Sequence, residues 1–296
     1  MAARLIVTDM DNTLYSWVDY IVPAVEALVA SVCTSTQLPR LKVVQSLKAV
    51  YEKYESNDYP FVLQESAIYA DFHEFGSFDK LVIQPARAAF AAARRRYLRP
   101  FPGVLETLAS LKAMDIPVVG LTDAPRNPAE YRTKRLGFDQ FFAALYTLPA
   151  FSFPLAPDGA ELIAPDILRK DERGDYRPGC PVVELPRDFE KPNAEGLLRV
   201  CRDFGVPPEE TVVVGDSVRK DIALAKKVGA IDCWAEYGTY ISTEYRERLD
   251  IISGRKVAQR HAASLFEGES SHRTANATHR LSCFSQLLEI VSESRP

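Results

Sequence analysis

The chain is expected to fold as an α/β protein: a Rossmann-like parallel sheet core flanked by helices, with an inserted mainly helical cap domain. Three observations predict this. Short β-branched runs alternate with amphipathic helical segments at the start of the chain and again in its second half. Several of these runs end in acidic or hydroxylated clusters, where open parallel sheets place their sites. Residues 18–98 break the alternation with an almost wholly helical pattern directly after the first strand.

Arg4 to Thr8 is a β-branched run that reads as a buried parallel strand. Pro23 to Ser31 opens a helical block rich in Ala and Leu that continues to about Tyr97. Gly103 to Met114 is an amphipathic helix with Val104, Leu105, Leu108 and Leu111 on one stripe. Pro117 to Leu121 reads as a strand, Pro128 to Leu136 as a helix closed by Gly137, and Phe142 to Thr147 as a strand. Leu148 to Asp188, rich in proline and charge, reads as a surface insertion of loops with a hairpin, a flap over the site. Val182 to Leu185 is a strand-like piece within it. Regularity then resumes. A helix over Asn193 to Phe204 is closed by Gly205, and Thr211 to Val214 is a strand. A helix over Arg219 to Val228 is closed by Gly229, and Ile231 to Ala235 is expected to be the last strand. Gly254 to Arg280 is polar, with Val257, Leu265 and Phe266 as its apolar anchors. Leu281, Phe284, Leu287, Leu288 and Val291 then recur at helical spacing, a stripe to dock on the body or on another subunit. The expected domains are a core of 1–17 and 99–250 with an insertion at 149–188, a cap of 18–98 and a tail of 251–296.

A length of 296 residues with 47% hydrophobic and 26% charged residues suits a soluble globular protein whose core needs neither metal nor disulfides. The net charge of -4 offers no global attraction to nucleic acid or an anionic membrane, so neither is an expected partner. The 5 cysteines are scattered, with no C-x-x-C pair, which argues against a disulfide framework or zinc site and for a reducing cytosol. The N-terminus enters a strand without the pattern of a signal peptide, and no segment is expected to span a membrane. A cytoplasmic monomer or homodimer is the expectation.

Four pieces stand at expected strand ends: Asp9-Met10-Asp11-Asn12-Thr13, Thr122-Asp123, Lys191 in Glu-Lys-Pro-Asn, and Gly215-Asp216-Ser217 with Asp221 beyond it. Residues two apart on an extended strand end point the same way, so Asp9 and Asp11 both face the mouth of the sheet. Two close carboxylates repel, which suggests a bound cation or divided acid and base roles. Thr122 and the neighbouring backbone N–H groups suit phosphate oxygens. Singly, each piece has a plainer reading: Thr-Asp and Lys-Pro are commonly caps or turns, and Asp221 suits a helix start through the dipole. Their ordered placement is what carries the chemistry.

Asp9, Asp11 and Thr13, then Thr122, then Lys191, then Asp216 with Asp221 resemble the motif set of the haloacid dehalogenase superfamily, in its phosphatase branch with a helical cap. The resemblance covers roughly residues 1–20 and 99–240. It implies Asp9 as nucleophile through an aspartyl-phosphate, and Asp11 as the acid for the leaving oxygen and then the base for water. It implies phosphoryl contacts from Thr122, with Asn12 and Asp123 beside it, and charge compensation by Lys191. Mg2+ is implied on Asp9, the backbone carbonyl of Asp11 and Asp216, with Asp221 acting through water or from behind. The acid at Asp11 separates this chain from the family's dehalogenases and transport ATPases, which lack it. The implied function is Mg-dependent hydrolysis of a small phosphate ester. The alternatives are a sugar phosphomutase or nucleotidase, and, from another class, a non-catalytic phosphate-binding regulatory protein, which would be expected to lack motif residues.

Residues 51–78 carry Tyr51, Tyr54, Tyr59, Phe61, Tyr69, Phe72, Phe75 and Phe78, read as a cap core in preference to a pocket for a ring. Arg94, Arg95 and Arg96 read as a solvated helix face rather than an anion site. Phosphonatase chemistry would need a cap lysine, but no motif marks Lys42, Lys48 or Lys53. His73 reads as structural, and His261, His272 and His279 lack metal-ligand spacing.

Overall fold

The computed structural model describes residues 3–71, 75–152, 154, 170–171, 174–175, 177–254, 257 and 277–293. Its strands are β1 (Leu5–Thr8), β2 (Val118–Pro125), β3 (Phe142–Leu148), β4 (Lys170–Asp171), β5 (Gly174–Asp175), β6 (Val182–Glu184), β7 (Thr211–Gly215), β8 (Ile231–Ala235) and β9 (His279–Leu281). Seven of them form one parallel sheet in the order β6-β3-β2-β1-β7-β8-β9, and β4 pairs with β5 as a separate antiparallel hairpin. The expected α/β architecture is therefore present.

The central strand shows why these sequences pair. Leu5, Ile6, Val7 and Thr8 are all buried, and Ile6 stands opposite Val118 on one neighbour and Val212 on the other. Leu5 and Val7 face a core shared with Val119, Val213, Leu197 and Leu224, whereas Ile6 joins Val118, Val212 and Leu108 on the opposite face. From β1 the chain proceeds to β2 and β3 on one side, then returns to β7 and β8 on the other. This reversal leaves a crevice at the carboxyl ends of β1 and its neighbours.

Between β1 and β2 lie helices α1 (Trp17–Thr36), α2 (Arg40–Tyr54), α3 (Ala67–Asp71), α4 (Phe75–Phe78) and α5 (Gln84–Tyr97), the last preceded by a π-helical turn. α1 packs along α5, and Tyr51, Tyr59, Phe61 and Phe78 are buried, so these aromatics form a core as expected. The core helices are α6 (Val104–Ala113), α7 (Arg126–Leu136), α8 (Glu195–Phe204), α9 (Ala223–Val228), α10 (Thr243–Ile252) and α11 (Leu287–Glu293). α7 ends at Gly137, whose φ of 75° continues the chain out of the helix at no Cβ cost.

Several expectations change. α1 begins six residues before Pro23, because the Ser16 hydroxyl accepts from the Asp19 N–H and caps an earlier start. Its length and composition are enough to cross a membrane, contrary to the expectation that no segment would be. In this fold its apolar side packs on α5, α2 and α10. Val182–Glu184 is not part of a surface flap: it pairs in parallel with β3 as the sheet's edge. Ile231–Ala235 is not the last strand either, because β9 pairs beyond it. The apolar stripe from Leu281 to Val291 is a strand, a 3-10 turn and α11 rather than one helix. It docks against α6, with Leu281, Phe284, Leu287 and Val291 buried. Arg94 lies over the Tyr131 ring at 3.4 Å rather than on a solvated face. Phe72, His73, His261, His272, Leu265 and Phe266 lie outside the described residues, as does nearly half of the 149–188 stretch.

Candidate active site

Three strand ends and one loop converge on the crevice. β1 delivers Asp9, Asp11 and Asn12, β2 delivers Thr122 and Asp123, and β7 delivers Asp216; Lys191 comes from the loop before α8. All of them, with Asp221, line a cavity of about 650 Å³ roofed by the Lys53–Asp58 segment at the end of α2.

Lys191 organises the floor. Its ammonium donates to Asp9 Oδ1 at 2.6 Å, to Asp221 Oδ1 at 2.7 Å and to the Leu121 carbonyl at 3.4 Å. Burial would lower its pKa, but the Asp221 and Asp9 carboxylates outweigh that and hold it well above the usual lysine range. Asp221 reaches Lys191 only because Gly215 has no side chain: a Cβ there would lie 2.1 Å from Asp221 Cγ. Asp221 Oδ2 meanwhile accepts from the Ser217 N–H at 3.2 Å, so both its oxygens are engaged.

Oxygens of Asp9, Asp216 and Asp221 lie within 4.8 Å of one another. The Asp216 carboxylate receives no hydrogen bond from a described residue, while its carbonyl accepts from Trp234 Nε1 at 2.8 Å. Burial, then Asp9 and Asp221, push the Asp216 carboxyl well above its usual range. Burial likewise raises Asp9, opposed by Lys191 and reinforced by Asp221, to about 7. Three crowded carboxylates sharing one ammonium form a hard, oxygen-rich donor set with negative charge to spare, the chemistry that suits Mg2+. Asp9 and Asp216 could hold such a cation, with Asp221 braced behind by Lys191.

The other residues expected at the site have measurable partners. Thr122 is buried, and its Oγ1 accepts from the Ala124 N–H at 3.1 Å. Asp123 accepts from the Lys191 backbone N–H at 3.0 Å and from Lys220 Nζ at 2.7 Å, so it clamps the lysine loop. Asn12 has a φ of 58°, and its Oδ1 accepts from the Trp17 N–H at 3.0 Å, joining the acidic loop to the start of α1. Thr13 is fully buried, with its carbonyl accepting from Tyr237 at 2.6 Å.

Asp11 is held on both sides. Tyr15 donates to its Oδ1, and Arg132 Nη2 donates to its Oδ2 at 3.2 Å. Burial raises the Asp11 carboxyl, Arg132 works against it, and Asp58 adds to it. Sequence reasoning passed over Arg132, Tyr15, Asp58 and Lys220. α7 buries Glu130, Arg132 and Thr133 along with Ala129, Tyr131 and Leu136, so no apolar stripe marked its inward face in the sequence.

A buried carboxylate poised at a parallel-sheet crevice beneath a helical lid is the working arrangement of capped α/β hydrolases. Sequence comparison gives that class a family. Residues 3–164 match the haloacid dehalogenase-like hydrolase family, and residues 189–259 match a related HAD-hydrolase-like model. The chain belongs to the haloacid dehalogenase-like hydrolase family and is an enzyme of that kind. Three of its curated relatives carry phosphatase names. A glyceraldehyde 3-phosphate phosphatase of Methanopyrus kandleri is 24% identical over 84% of this chain and 90% of its own length. One from Methanocaldococcus jannaschii is 26% identical over 61% of this chain and 68% of its own. Among solved structures, a 2-haloacid dehalogenase of Pseudomonas syringae is similar with a TM-score of 0.56 at 19% identity, covering 99% of both chains. A HAD-hydrolase of Bacillus subtilis described as bound to magnesium is similar with a TM-score of 0.50 at 14% identity, covering 99% of this chain and 100% of that one. These structural likenesses concern the fold.

Proposed function

We propose that this enzyme is a Mg2+-dependent phosphomonoesterase that works through an aspartyl-phosphate on Asp9. The carrying observation is Lys191, buried between Asp9 and Asp221 at 2.6 and 2.7 Å, with the unbonded Asp216 carboxylate beside them. Mg2+, held by Asp9 and Asp216, supplies neutralising charge for the phosphoryl oxygens. Asp9 attacks phosphorus and the ester oxygen departs, taking its proton from Asp11. Asp11 then deprotonates a water that attacks the same phosphorus, releasing inorganic phosphate and restoring Asp9. Lys191 keeps its proton throughout and offsets the charge on Asp9. Thr122 Oγ1 is free to donate to a phosphoryl oxygen.

The substrate is a small phosphate ester. The names of the curated relatives make glyceraldehyde 3-phosphate the first compound to assay. Five free thiols, at Cys33, Cys180, Cys201, Cys233 and Cys283, fit a reducing cytoplasmic setting.

The experiment is a pair of substitutions with rapid-quench mass spectrometry. Asp9→Asn should abolish turnover of every ester. Asp11→Asn should slow turnover on the order of 10²–10⁴-fold and accumulate phosphate on the Asp9 peptide. EDTA should remove activity and Mg2+ restore it. Phosphate on Asp11 in the wild-type enzyme, with Asp9→Asn still active, would reverse the roles, and full activity without metal would end the mechanism.

A further inference from the structure

Arg132 lies on α7, outside every motif, and is 1% exposed. Its Nη1 donates to Asp58 Oδ2 at 2.9 Å and to the Tyr20 hydroxyl at 2.7 Å, and its Nη2 donates to Asp11 Oδ2 at 3.2 Å. Asp58 belongs to the roof of the cavity, Asp11 to its floor, and Arg132 to the core. Asp58 is fastened further by Trp17 Nε1 on Oδ2 at 2.9 Å and by the Tyr20 hydroxyl on Oδ1 at 3.1 Å. The guanidinium is thus the one link that touches both the cap carboxylate and the Asp11 carboxylate among the described residues.

We propose that Arg132 is a positioning residue that ties the orientation of Asp11 to the seating of the cap through Asp58. This rests on the reading of Asp11 as acid and base. A guanidinium keeps its charge in a buried site and offers donors in a fixed planar fork. With one prong on Asp58 and the other on Asp11, the angle of the Asp11 carboxylate is set by where the roof segment sits. Tyr15 on Oδ1 completes the clamp. Proton transfer depends steeply on placement, so a seated roof presents Asp11 to the leaving oxygen and a displaced roof misaligns it. Nucleophilic attack by Asp9 does not pass through this link, because Asp9 is held by Lys191 instead.

The test compares an alkyl ester, glycerol phosphate, with an aryl ester, p-nitrophenyl phosphate, whose leaving group needs little protonation. Arg132→Met should lower kcat/KM, which reports the step that expels the leaving group, by on the order of 10²-fold for the alkyl ester. In kcat/KM the aryl ester should lose no more than about threefold, although the hydrolysis of the aspartyl-phosphate that follows slows for both esters. Arg132→Lys should recover part of the loss, since an ammonium can pair with one carboxylate but not span both. Asp58→Asn, which leaves the cation in place, should shift the same ratio by about tenfold. Circular dichroism and melting curves identify the folded variants. Folded variants that lose both esters equally, or neither, would make Arg132 a core staple and overturn the proposal. Where Arg132 variants do not fold, Asp58→Asn decides by the same criterion. Asp11→Asn runs alongside. If it shows no leaving-group dependence, the acid–base reading falls and the Arg132 role with it. If it discriminates while Asp58→Asn does not, the Arg132 role alone falls.

Discussion

Gly238 is pressed onto the backbone of Asn12: a Cβ at Gly238 would come within 1.5 Å of the Asn12 carbonyl oxygen. The neighbouring Tyr237 donates to the Thr13 carbonyl at 2.6 Å, so the turn after β8 closes over the acidic loop and sets its height. Gly238→Ala must therefore displace the loop that carries Asp9 and Asp11. Activity should fall by on the order of 10²-fold. Stability should fall by about 1–3 kcal/mol. Steady-state kinetics and urea denaturation measure the two; wild-type values in both would mean that the loop yields without consequence.

Lys191→Met should leave Asp9 and Asp221 buried and uncompensated. Breaking a buried ion pair by removing one partner costs roughly 3–5 kcal/mol, and turnover should be lost with it. Added Mg2+ replaces part of the missing charge, so it should raise the melting temperature of this variant more than that of the wild type. An equal rise in both proteins would mean that the cation and the lysine do not share the same carboxylates.

Glu65 carries a pH prediction for the cap. Burial pushes its carboxyl up, but hydrogen bonds from Lys53, Tyr54 and Tyr59 outweigh this and hold it below its ordinary 4.5. A carboxyl depressed in the folded state stabilises the fold above its unfolded value, and that contribution is lost as pH falls through the folded value. The stability gap between wild type and Glu65→Gln should be full at neutral pH and close as pH drops below 4.5. A gap that does not narrow on acidification would assign the effect to packing.

The C-terminal segment should prove integral to the core. Phe284 is 1% exposed and sits between β9 and α11. Phe284→Ala should cost about 3–5 kcal/mol in chemical denaturation. A loss below about 1 kcal/mol, the range of surface changes, would make the segment peripheral.

Much of the core was legible because its signals are local. Ile6 to Thr8 and Thr211 to Val214 are β-branched and wholly buried, and the helices that end at Gly137, Gly205 and Gly229 have their C-terminal boundaries written in neighbouring residues. The acidic and hydroxylated positions stood out because they follow such strands, whereas Lys191 lies in the loop before α8. Edge strands were harder: Val182–Glu184 and His279–Leu281 are three residues each, only partly buried, and are strands by virtue of β3 and β8 beside them.

By itself the sequence determined the parallel sheet, the helical insertion after its first strand, and the acidic positions at its strand ends, since periodicity and β-branching act over a few residues. Only the tertiary structure decided what those acids touch. Lys191 meets Asp9 across 182 positions and Arg132 meets Asp11 across 121, and no local pattern records such an encounter. Arg132 faces inward because two distant carboxylates offset the cost of burying its charge, a balance that exists only once the sheet, α7 and the cap have come together.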